Sequence, residues 1–177
     1  MKLHIGCGKK YLKGYKHMDV IGFEHIDYVC DARNLSMIEN ESVAEIYACH
    51  VLEHVECNEV AAVLREWFRV LKAGGVIRLA VPDFESIMEA YLEHKDLMLL
   101  QGLLYGGQTY DYNFHHIAFD YSMLNGLLVD AGFSDVKRYN WQEFLPEDYD
   151  DYSRAYIPHM DFNNGRLMSL NLWAIKK

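Results

Sequence analysis

The first residues of the chain that could do chemistry are two glycines and an aspartate near the N terminus. A short apolar run over residues 2–6 leads into Gly6-Cys7-Gly8, and Asp19 lies near the end of the next apolar run. Glycines at such a turn let the backbone approach a ligand that a side chain would block. A carboxylate at the tip of the following strand can accept hydrogen bonds from ribose hydroxyls. The pattern therefore predicts a nucleoside-containing cofactor at the carboxyl ends of parallel strands.

A second set of reactive side chains lies in residues 102–116, a stretch rich in glycine and tyrosine that ends in His115-His116. A histidine titrates near working pH, so it could take a proton from a hydroxyl or an amine during group transfer. A histidine that only anchors the loop to the backbone is the competing interpretation. A metal site of Asp111, His115 and His116 is a weaker alternative, because adjacent histidines usually point apart. We therefore predict His116 and His115 as candidate catalytic residues, and no metal.

The composition limits the class of protein and its partners. The chain has 177 residues, of which 51% are hydrophobic, and this length suits one α/β domain over residues 1–177. Its net charge of −9 argues against nucleic acid, because such binding needs a basic surface. No secretion-signal pattern is seen, and no apolar run reaches about 18 residues, so we expect no membrane span. The pattern leaves the oligomeric state open.

The cysteines indicate a reducing compartment. The four of them, Cys7, Cys30, Cys49 and Cys57, form no Cys-x-x-Cys pair. Cys30 and Cys49 each end an apolar, strand-like run, where a reduced and buried thiol is expected. We therefore predict a cytoplasmic protein whose cysteines are free and lie in or near the core.

Apolar periodicity predicts alternating strands and helices. The predicted strands cover residues 2–6, 15–20, 26–30, 44–49, 76–81, 136–141 and 169–175. The predicted helices cover residues 58–71, 84–100 and 123–131, and the first is capped by Asn58 and stopped by Gly74-Gly75. This alternation favours a mainly parallel α/β sheet with helices on both faces, in which the last two strands form an antiparallel pair at one edge. Segments 102–116 and 143–164 are predicted loops, and residues 143–151 a solvated acidic edge.

Several segments of the chain occur in the same order as in one known protein family. They are Ile5-Gly6-Cys7-Gly8, Asp19, Asp31-Ala32 and residues 49–55, 68–75, 81–83 and 131–133. Together they resemble a class I S-adenosylmethionine-dependent methyltransferase, and most of all its small type 11 branch. The resemblance covers nearly the whole chain and implies a three-layer, doubly wound, Rossmann-like sheet of seven strands, mostly parallel with an antiparallel edge strand.

The resemblance also implies how S-adenosylmethionine would be held. The turn Gly6-Cys7-Gly8 would pass under the methionine part, and Asp19, followed by Val20, would bind the ribose hydroxyls. Asp31 would accept from the adenine amino group, with Ala32 and Arg33 beside the ring. His50 and Val51 would line the sulfonium end.

Two features depart from common patterns. His4 stands where this family usually has an acidic residue, so the contact to the cofactor's amino group is unassigned. About ten residues separate Gly8 from Asp19, whereas a dinucleotide-binding unit places its acid about 20 residues after the glycines. The short connection also lacks the helix that would bind a pyrophosphate, which disfavours NAD.

We therefore predict an enzyme that moves a methyl group from S-adenosylmethionine to an oxygen or nitrogen of a small-molecule acceptor, such as a sugar or a nucleotide-sugar. The alternative is a non-catalytic cofactor-binding module, or a partner subunit of an enzyme complex. Such a module would keep the glycine turn but would lack an acceptor pocket.

Overall fold

A computed structural model describes all 177 residues. The strands are β1 Lys2–Ile5, β2 Lys16–Asp19, β3 Tyr28–Val29, β4 Val43–Cys49, β5 Leu71–Pro82, β6 Phe133–Arg138, β7 Tyr156–Ile157, β8 Arg166–Leu167 and β9 Ser169–Lys176. The helices are α1 Val60–Val70, α2 Phe84–His94, α3 Gln101–Tyr105, α4 Tyr121–Asp130 and α5 Trp141–Phe144. No helix is long and apolar enough to cross a membrane.

Seven strands form one sheet in the order β3-β2-β1-β4-β5-β9-β6. The pairs from β3 to β5 are parallel, and β9 runs antiparallel to both β5 and β6. The predicted α/β sheet with a final antiparallel pair is confirmed. The strand that runs against the others is β9, one position in from the edge, and β6 forms the edge itself.

The strand order reverses between β1 and β4, since the chain moves from β1 outward to β3 and then returns to β4 on the other side. Loops that leave the carboxyl ends of two such strands diverge, and this opens a crevice in which ligands of α/β sheets commonly bind. The segments that follow β1 and β4 carry Gly6 and His50. The topology therefore places these two residues at the expected binding crevice.

Several predicted boundaries were wrong. The first helix begins at Val60 rather than Asn58 and ends at Val70, because Leu71 already pairs with Val43 in the sheet. Gly74-Gly75 therefore lies within β5 and does not stop the helix. The second predicted helix ends at His94, where Lys95 takes a left-handed conformation with φ 54°.

The C-terminal segments also differ from the prediction. Strand β6 begins at Phe133 and ends at Arg138, so Trp141 starts helix α5 instead of ending a strand. Residues 101–105 are helical, and part of the predicted loop 143–164 pairs with β8 as the small hairpin β7–β8.

Alternation along the strands creates two different sheet faces. Ile46 and Ala48 of β4 belong to a core of 28 buried residues, which also receives Trp67 and its neighbours from α1. Tyr47, between them, belongs instead to a second cluster with Leu12, Trp141, Leu145 and Tyr149. The segment after β6 therefore covers the opposite face, where it packs against aromatic residues.

The four cysteines are free. Cys7 is buried and Cys30 and Cys49 are partly buried, whereas Cys57 is exposed. The prediction of core or near-core cysteines is therefore wrong for Cys57.

Candidate active site

The glycine turn after β1 is too crowded for a side chain. Gly6 has φ +63°, and a Cβ atom there would lie 2.3 Å from Cγ2 of Val51. The backbone N–H groups of Gly6 and Cys7 both donate to the carbonyl of Met18, at 2.8 and 3.3 Å. A left-handed, closely packed turn of this kind is open to glycine and penalises other residues. It brings bare backbone to the crevice between β1 and β4.

Asp19, at the end of β2, holds the turn and faces the crevice. Its Oδ2 accepts from the Gly8 N–H at 2.7 Å, and its Oδ1 accepts from the Ile21 N–H at 2.9 Å. A carboxylate oxygen can accept more than one hydrogen bond, so both oxygens keep capacity for ribose hydroxyls. The bare glycine turn and this carboxylate fit the adenosyl and methionine parts of S-adenosylmethionine.

Asp31 is already engaged by a neighbouring guanidinium. Arg33 Nε lies 3.0 Å from both Asp31 oxygens, and Nη2 lies 2.7 Å from Oδ2. The same guanidinium contacts Glu56 and Glu59. The hydrogen bonds from Arg33 hold the pKa of Asp31 below its ordinary value. An adenine amino group would therefore join an existing ion pair rather than meet a free carboxylate.

Two neighbouring cavities lie along the strand ends, with volumes of about 980 and 240 Å³. Gly6, Asp19 and His50 line both of them. The other predicted cofactor residues divide between the two. Cys7 and Gly8 line the larger cavity, and the smaller one is lined by Val20, Asp31, Ala32, Arg33 and Val51. All ten predicted cofactor residues thus line one or both cavities.

The adjacent histidines belong to different cavities. His115 lines the larger one, where its Nδ1–H donates to the carbonyl of Leu103 at 3.0 Å and burial lowers its pKa. His116 lines the smaller one, and its backbone N–H donates to the carbonyl of Glu53 at 2.7 Å. Asp111 also lines the smaller cavity. The alternative metal set of Asp111, His115 and His116 therefore does not converge on one point.

His50 occupies the point where the cavities meet. It has φ 55°, an unusual left-handed conformation for a non-glycine residue. Its Nδ1 lies 3.0 Å from Oε1 of Glu53, and its Nε2 lies 3.4 Å from Oγ of Ser169. Burial alone would raise the pKa of Glu53, but the neighbouring His50, with His54 and His115, holds it below its ordinary value. Backbone strain of this kind is typical of functional sites.

His4 provides a neutral surface near the methionine end of the site. It is 2% exposed, and its ring centre lies 5.2 Å from Tyr47 and 5.6 Å from His17. Burial, helped by His17 and His25, lowers the pKa of His4 to about 3. A neutral imidazole cannot pair with an ammonium group as a carboxylate would, so another contact must hold that part of the cofactor.

The segment after β6 supplies a wall that the sequence did not predict. Tyr149, Asp151, Tyr152 and Arg154 all line the larger cavity. Asp151 accepts hydrogen bonds from the hydroxyls of Tyr47 and Ser153, so it is not part of a purely solvated edge. The only sequence signal was the unusual density of aromatic residues among the acidic ones, which indicates packing against another surface.

Comparison with known proteins agrees with this geometry. Residues 3–79 match the family described as "Methyltransferase domain", of the type 11 branch. The matched range runs from β1 into β5 and contains the glycine turn, Asp19, Asp31 and His50. Less than half of the chain is therefore similar to this family, over the part that carries the glycine turn. The match supports S-adenosylmethionine as the methyl donor.

Solved structures share the fold of this chain. A methyltransferase from Thermotoga maritima is 19% identical, with 99% of this chain and 82% of that one covered and a TM-score of 0.59. A Burkholderia thailandensis N1-methyltransferase, solved with 1,6-didemethyltoxoflavin and S-adenosylhomocysteine, is 15% identical, with coverage of 99% and 70% and a TM-score of 0.58. A Haloferax volcanii methyltransferase in complex with the activator Trm112 is 12% identical, with coverage of 98% and 81% and a TM-score of 0.57. No curated protein matches the sequence significantly.

Proposed function

We propose that this chain is an S-adenosylmethionine-dependent methyltransferase and that it transfers the methyl group to an oxygen or nitrogen of a small polar molecule bound in the larger cavity. The observation that carries the proposal is the wall shared by the two cavities, which includes Gly6, Asp19 and His50. Adenosine bound in the smaller cavity would direct its methionine arm past this wall. The transferred methyl group would then meet an acceptor held in the larger cavity.

The lining of the larger cavity supports a polar acceptor. Tyr149 is 8% exposed, and its hydroxyl has no hydrogen-bond partner within the chain. His4 Nδ1 is also buried without a partner, and both residues line this cavity. Buried polar atoms are costly unless they are paired, so a ligand that carries hydroxyl groups would stabilise the site. A sugar is the acceptor class that we would test first, followed by nucleotide-sugars.

Catalysis of methyl transfer rests mainly on alignment. The methyl carbon is already activated by the positive sulfur, so the protein must hold the acceptor atom about 3 Å away and exclude water. A general base helps most when the acceptor is a hydroxyl. Of the two predicted catalytic histidines, His115 lines the larger cavity and His116 the smaller. We therefore favour His115 as the residue nearest to the acceptor.

Calorimetric titration with S-adenosylhomocysteine, with NAD as the control, tests the donor half of the proposal. We expect binding of the first compound only. Isotope-labelled S-adenosylmethionine is then incubated with sugars, nucleotide-sugars and small amines, and labelled products are separated by chromatography. Labelling of a compound in one of these classes supports the proposal. A cell extract is labelled in parallel. If the chain binds the donor but the label is found only on a macromolecule of that extract, the proposal of a small-molecule acceptor is contradicted.

The variants His115→Ala and His116→Ala form a matched pair for the catalytic proposal, measured on the acceptor found in that screen. Loss of a general base typically slows turnover by about 100-fold or more. We expect that loss for His115→Ala with donor affinity preserved. For His116→Ala we expect a smaller loss, mainly through weaker donor binding. Full turnover in His115→Ala would remove that histidine from the mechanism.

A second candidate is a cofactor-binding subunit that acts only with a partner protein. The Haloferax volcanii neighbour was solved in complex with an activator, and this observation favours testing the idea. Such a subunit would bind S-adenosylhomocysteine yet methylate no acceptor alone, and activity would appear when a co-purified partner is added. Turnover by the isolated chain would exclude the requirement.

A further inference from the structure

A buried carboxylate behind the wall of the larger cavity has a histidine beside one of its oxygens and no partner at the other. Glu53 lies in a short 3-10 turn after β4 and is 0% exposed. His50 Nδ1 is 3.0 Å from Oε1 and so serves one oxygen of the carboxylate, whereas Oε2 has no neighbour of this kind. Burying an ionised carboxylate is costly unless it is paired or coordinates a metal. Oε2 of Glu53 can therefore accept a cation in addition to the His50 contact at Oε1.

Two further histidines approach the same carboxylate. One ligand atom from each of Glu53, His54 and His115 lies within 4.8 Å of the other two. His115 Nε2 is 4.0 Å from Oε1 of Glu53, and the ring centres of His54 and His115 are 4.8 Å apart. Two histidines and one carboxylate form a common ligand set for divalent transition metals.

The hydrogen bonds of the two histidines engage Nδ1 in both rings. The Nδ1–H of His54 donates to the carbonyl of Phe114 at 3.0 Å, and the Nδ1–H of His115 donates to the carbonyl of Leu103 at 3.0 Å. When such a ring is neutral, its Nε2 carries the lone pair. Metal-binding histidines almost always donate their other N–H to a carbonyl or carboxylate in this way, because it fixes the tautomer and the ring orientation.

We propose that Glu53, His54 and His115 bind one divalent transition-metal ion of the zinc class. Tetrahedral ligands at about 2.0–2.1 Å from a metal lie about 3.4 Å apart, so the three side chains must draw together by about an ångström. The metal replaces the missing partner of Glu53, and His50 lies beside it. His54 and His115 both line the larger cavity, so an open coordination position faces the space proposed for the acceptor. A metal on Nε2 occupies the nitrogen that a general base needs, so His115 serves either as a ligand or as the base.

An ion pair between protonated His50 and Glu53 is the simplest explanation without a metal. It provides a partner for Oε1 and leaves Oε2 without one. The two explanations predict different behaviour in His54 and His115 variants. The ion pair requires neither residue, whereas the metal site requires both.

Untagged protein is stripped with a chelator, dialysed, and titrated separately with Zn²⁺ and Co²⁺. Calorimetry and mass spectrometry of bound metal give affinity and stoichiometry, and visible absorption of Co²⁺ reports the coordination geometry. We expect one metal ion per chain. Loss of outer-shell partners already weakens metal sites by about 10- to 100-fold, so we expect at least about 100-fold weaker binding for His54→Ala and for His115→Ala. These readouts do not require the proposed methyl transfer.

His159→Ala is the matched control, because His159 is an exposed histidine on the wall of the same cavity. It should bind metal as the unmodified chain does. Circular dichroism verifies that each variant is folded, and Glu53→Gln is added as a third ligand variant if it folds. Stoichiometric binding that disappears in His54→Ala and His115→Ala but persists in His159→Ala supports the site. Absence of stoichiometric binding, or equal binding in all three histidine variants, overturns it.

Discussion

The two cavities at the edge of the sheet are built from different kinds of residue. The smaller one is lined largely by residues at or just beyond the carboxyl ends of strands β1 to β4, such as Asp19, Asp31 and Val51. The larger one adds side chains from distant loops, including Tyr149 and His115. The positions on the donor side are therefore set mainly by the sheet, and those on the acceptor side by loops that can vary independently. One fold can in this way keep one cofactor and change its acceptor.

The electrostatics of the two cavities also differ. The rim of the smaller cavity carries an exposed network, in which Arg33 is 42% and Asp31 38% exposed. The larger cavity is backed by buried groups that remain neutral. Burial lowers the pKa of His4 and raises the pKa of Tyr47 and Tyr149. Substitutions at the rim of the smaller cavity should therefore lower the free energy of unfolding only slightly. Substitutions at the wall shared by the two cavities, or among the buried groups behind the larger cavity, should lower it much more.

The largest effect is expected at the shared wall. In Gly6→Ala the new Cβ meets Val51 at 2.3 Å and the residue keeps φ +63°. Left-handed strain of about 1–2 kcal/mol and overpacking of about 1–3 kcal/mol together lower the free energy of unfolding by about 2–5 kcal/mol. Urea unfolding measures this loss, and S-adenosylhomocysteine binding should fall with it.

Gly8→Ala is the matched control for Gly6→Ala. Gly8 shares the left-handed conformation, with φ +55°, but a Cβ there meets nothing within 4 Å. Gly8→Ala should therefore lower the free energy of unfolding only by the left-handed strain, which is about 1–2 kcal/mol. If both variants lose the same free energy of unfolding, the contact with Val51 adds no cost at Gly6.

The next largest effect is a pH-dependent loss of stability, which arises from a buried histidine on the wall of the larger cavity. His4 titrates near its ordinary pKa of 6.5 when the chain is unfolded and at about 3 when it is folded. Below pH 6.5 the unfolded chain binds a proton that the folded chain does not, so stability is lost as the pH falls toward 3. Between pH 7 and pH 4.5 this loss amounts to about 2–3 kcal/mol.

His4→Phe keeps an aromatic ring and removes the titrating group. The free energy of unfolding of both proteins is measured with urea at pH 7 and at pH 4.5. Between these two pH values, the loss for His4→Phe should be about 2–3 kcal/mol smaller than the loss for the unmodified chain. Equal pH dependence in the two proteins would mean that His4 is not the group that senses acid.

The difference between the cavities also explains how far sequence reasoning could go. Strand tips follow from local apolar patterns and the order of the sheet, so the amino-acid sequence alone predicts Gly6, Asp19, Asp31 and His50 at the crevice. Contacts between distant segments carry no local signal. The pairing of Tyr47 with Asp151, and the approach of His54 and His115 to Glu53, arise only when the loops fold over the sheet. The sequence likewise did not decide which of His115 and His116 lines the larger cavity.

A smaller effect is expected for Asp19→Ala, which tests the donor side of the shared wall. A hydrogen bond to a charged group contributes about 1.5–3 kcal/mol, so affinity for S-adenosylhomocysteine should fall by about 10- to 100-fold. Asp19→Asn keeps one oxygen acceptor and should lose less. Calorimetry measures both affinities, and circular dichroism verifies folding, because Asp19 also accepts from the N–H groups of Gly8 and Ile21. Unchanged affinity in Asp19→Ala would refute the ribose assignment.

The smallest effect is expected at the exposed rim of the smaller cavity. Arg33 contacts three carboxylates, of Asp31, Glu56 and Glu59, but all four side chains are at least 38% exposed. Exposed ion pairs contribute little, because solvent screens them and ordering the side chains costs entropy, so Arg33→Ala should lower the free energy of unfolding by no more than about 1 kcal/mol. Urea unfolding at low and high salt measures it, and the small difference should shrink further at high salt. A loss as large as that of Gly6→Ala would mean that the rim, and not only the shared wall, holds the donor side together.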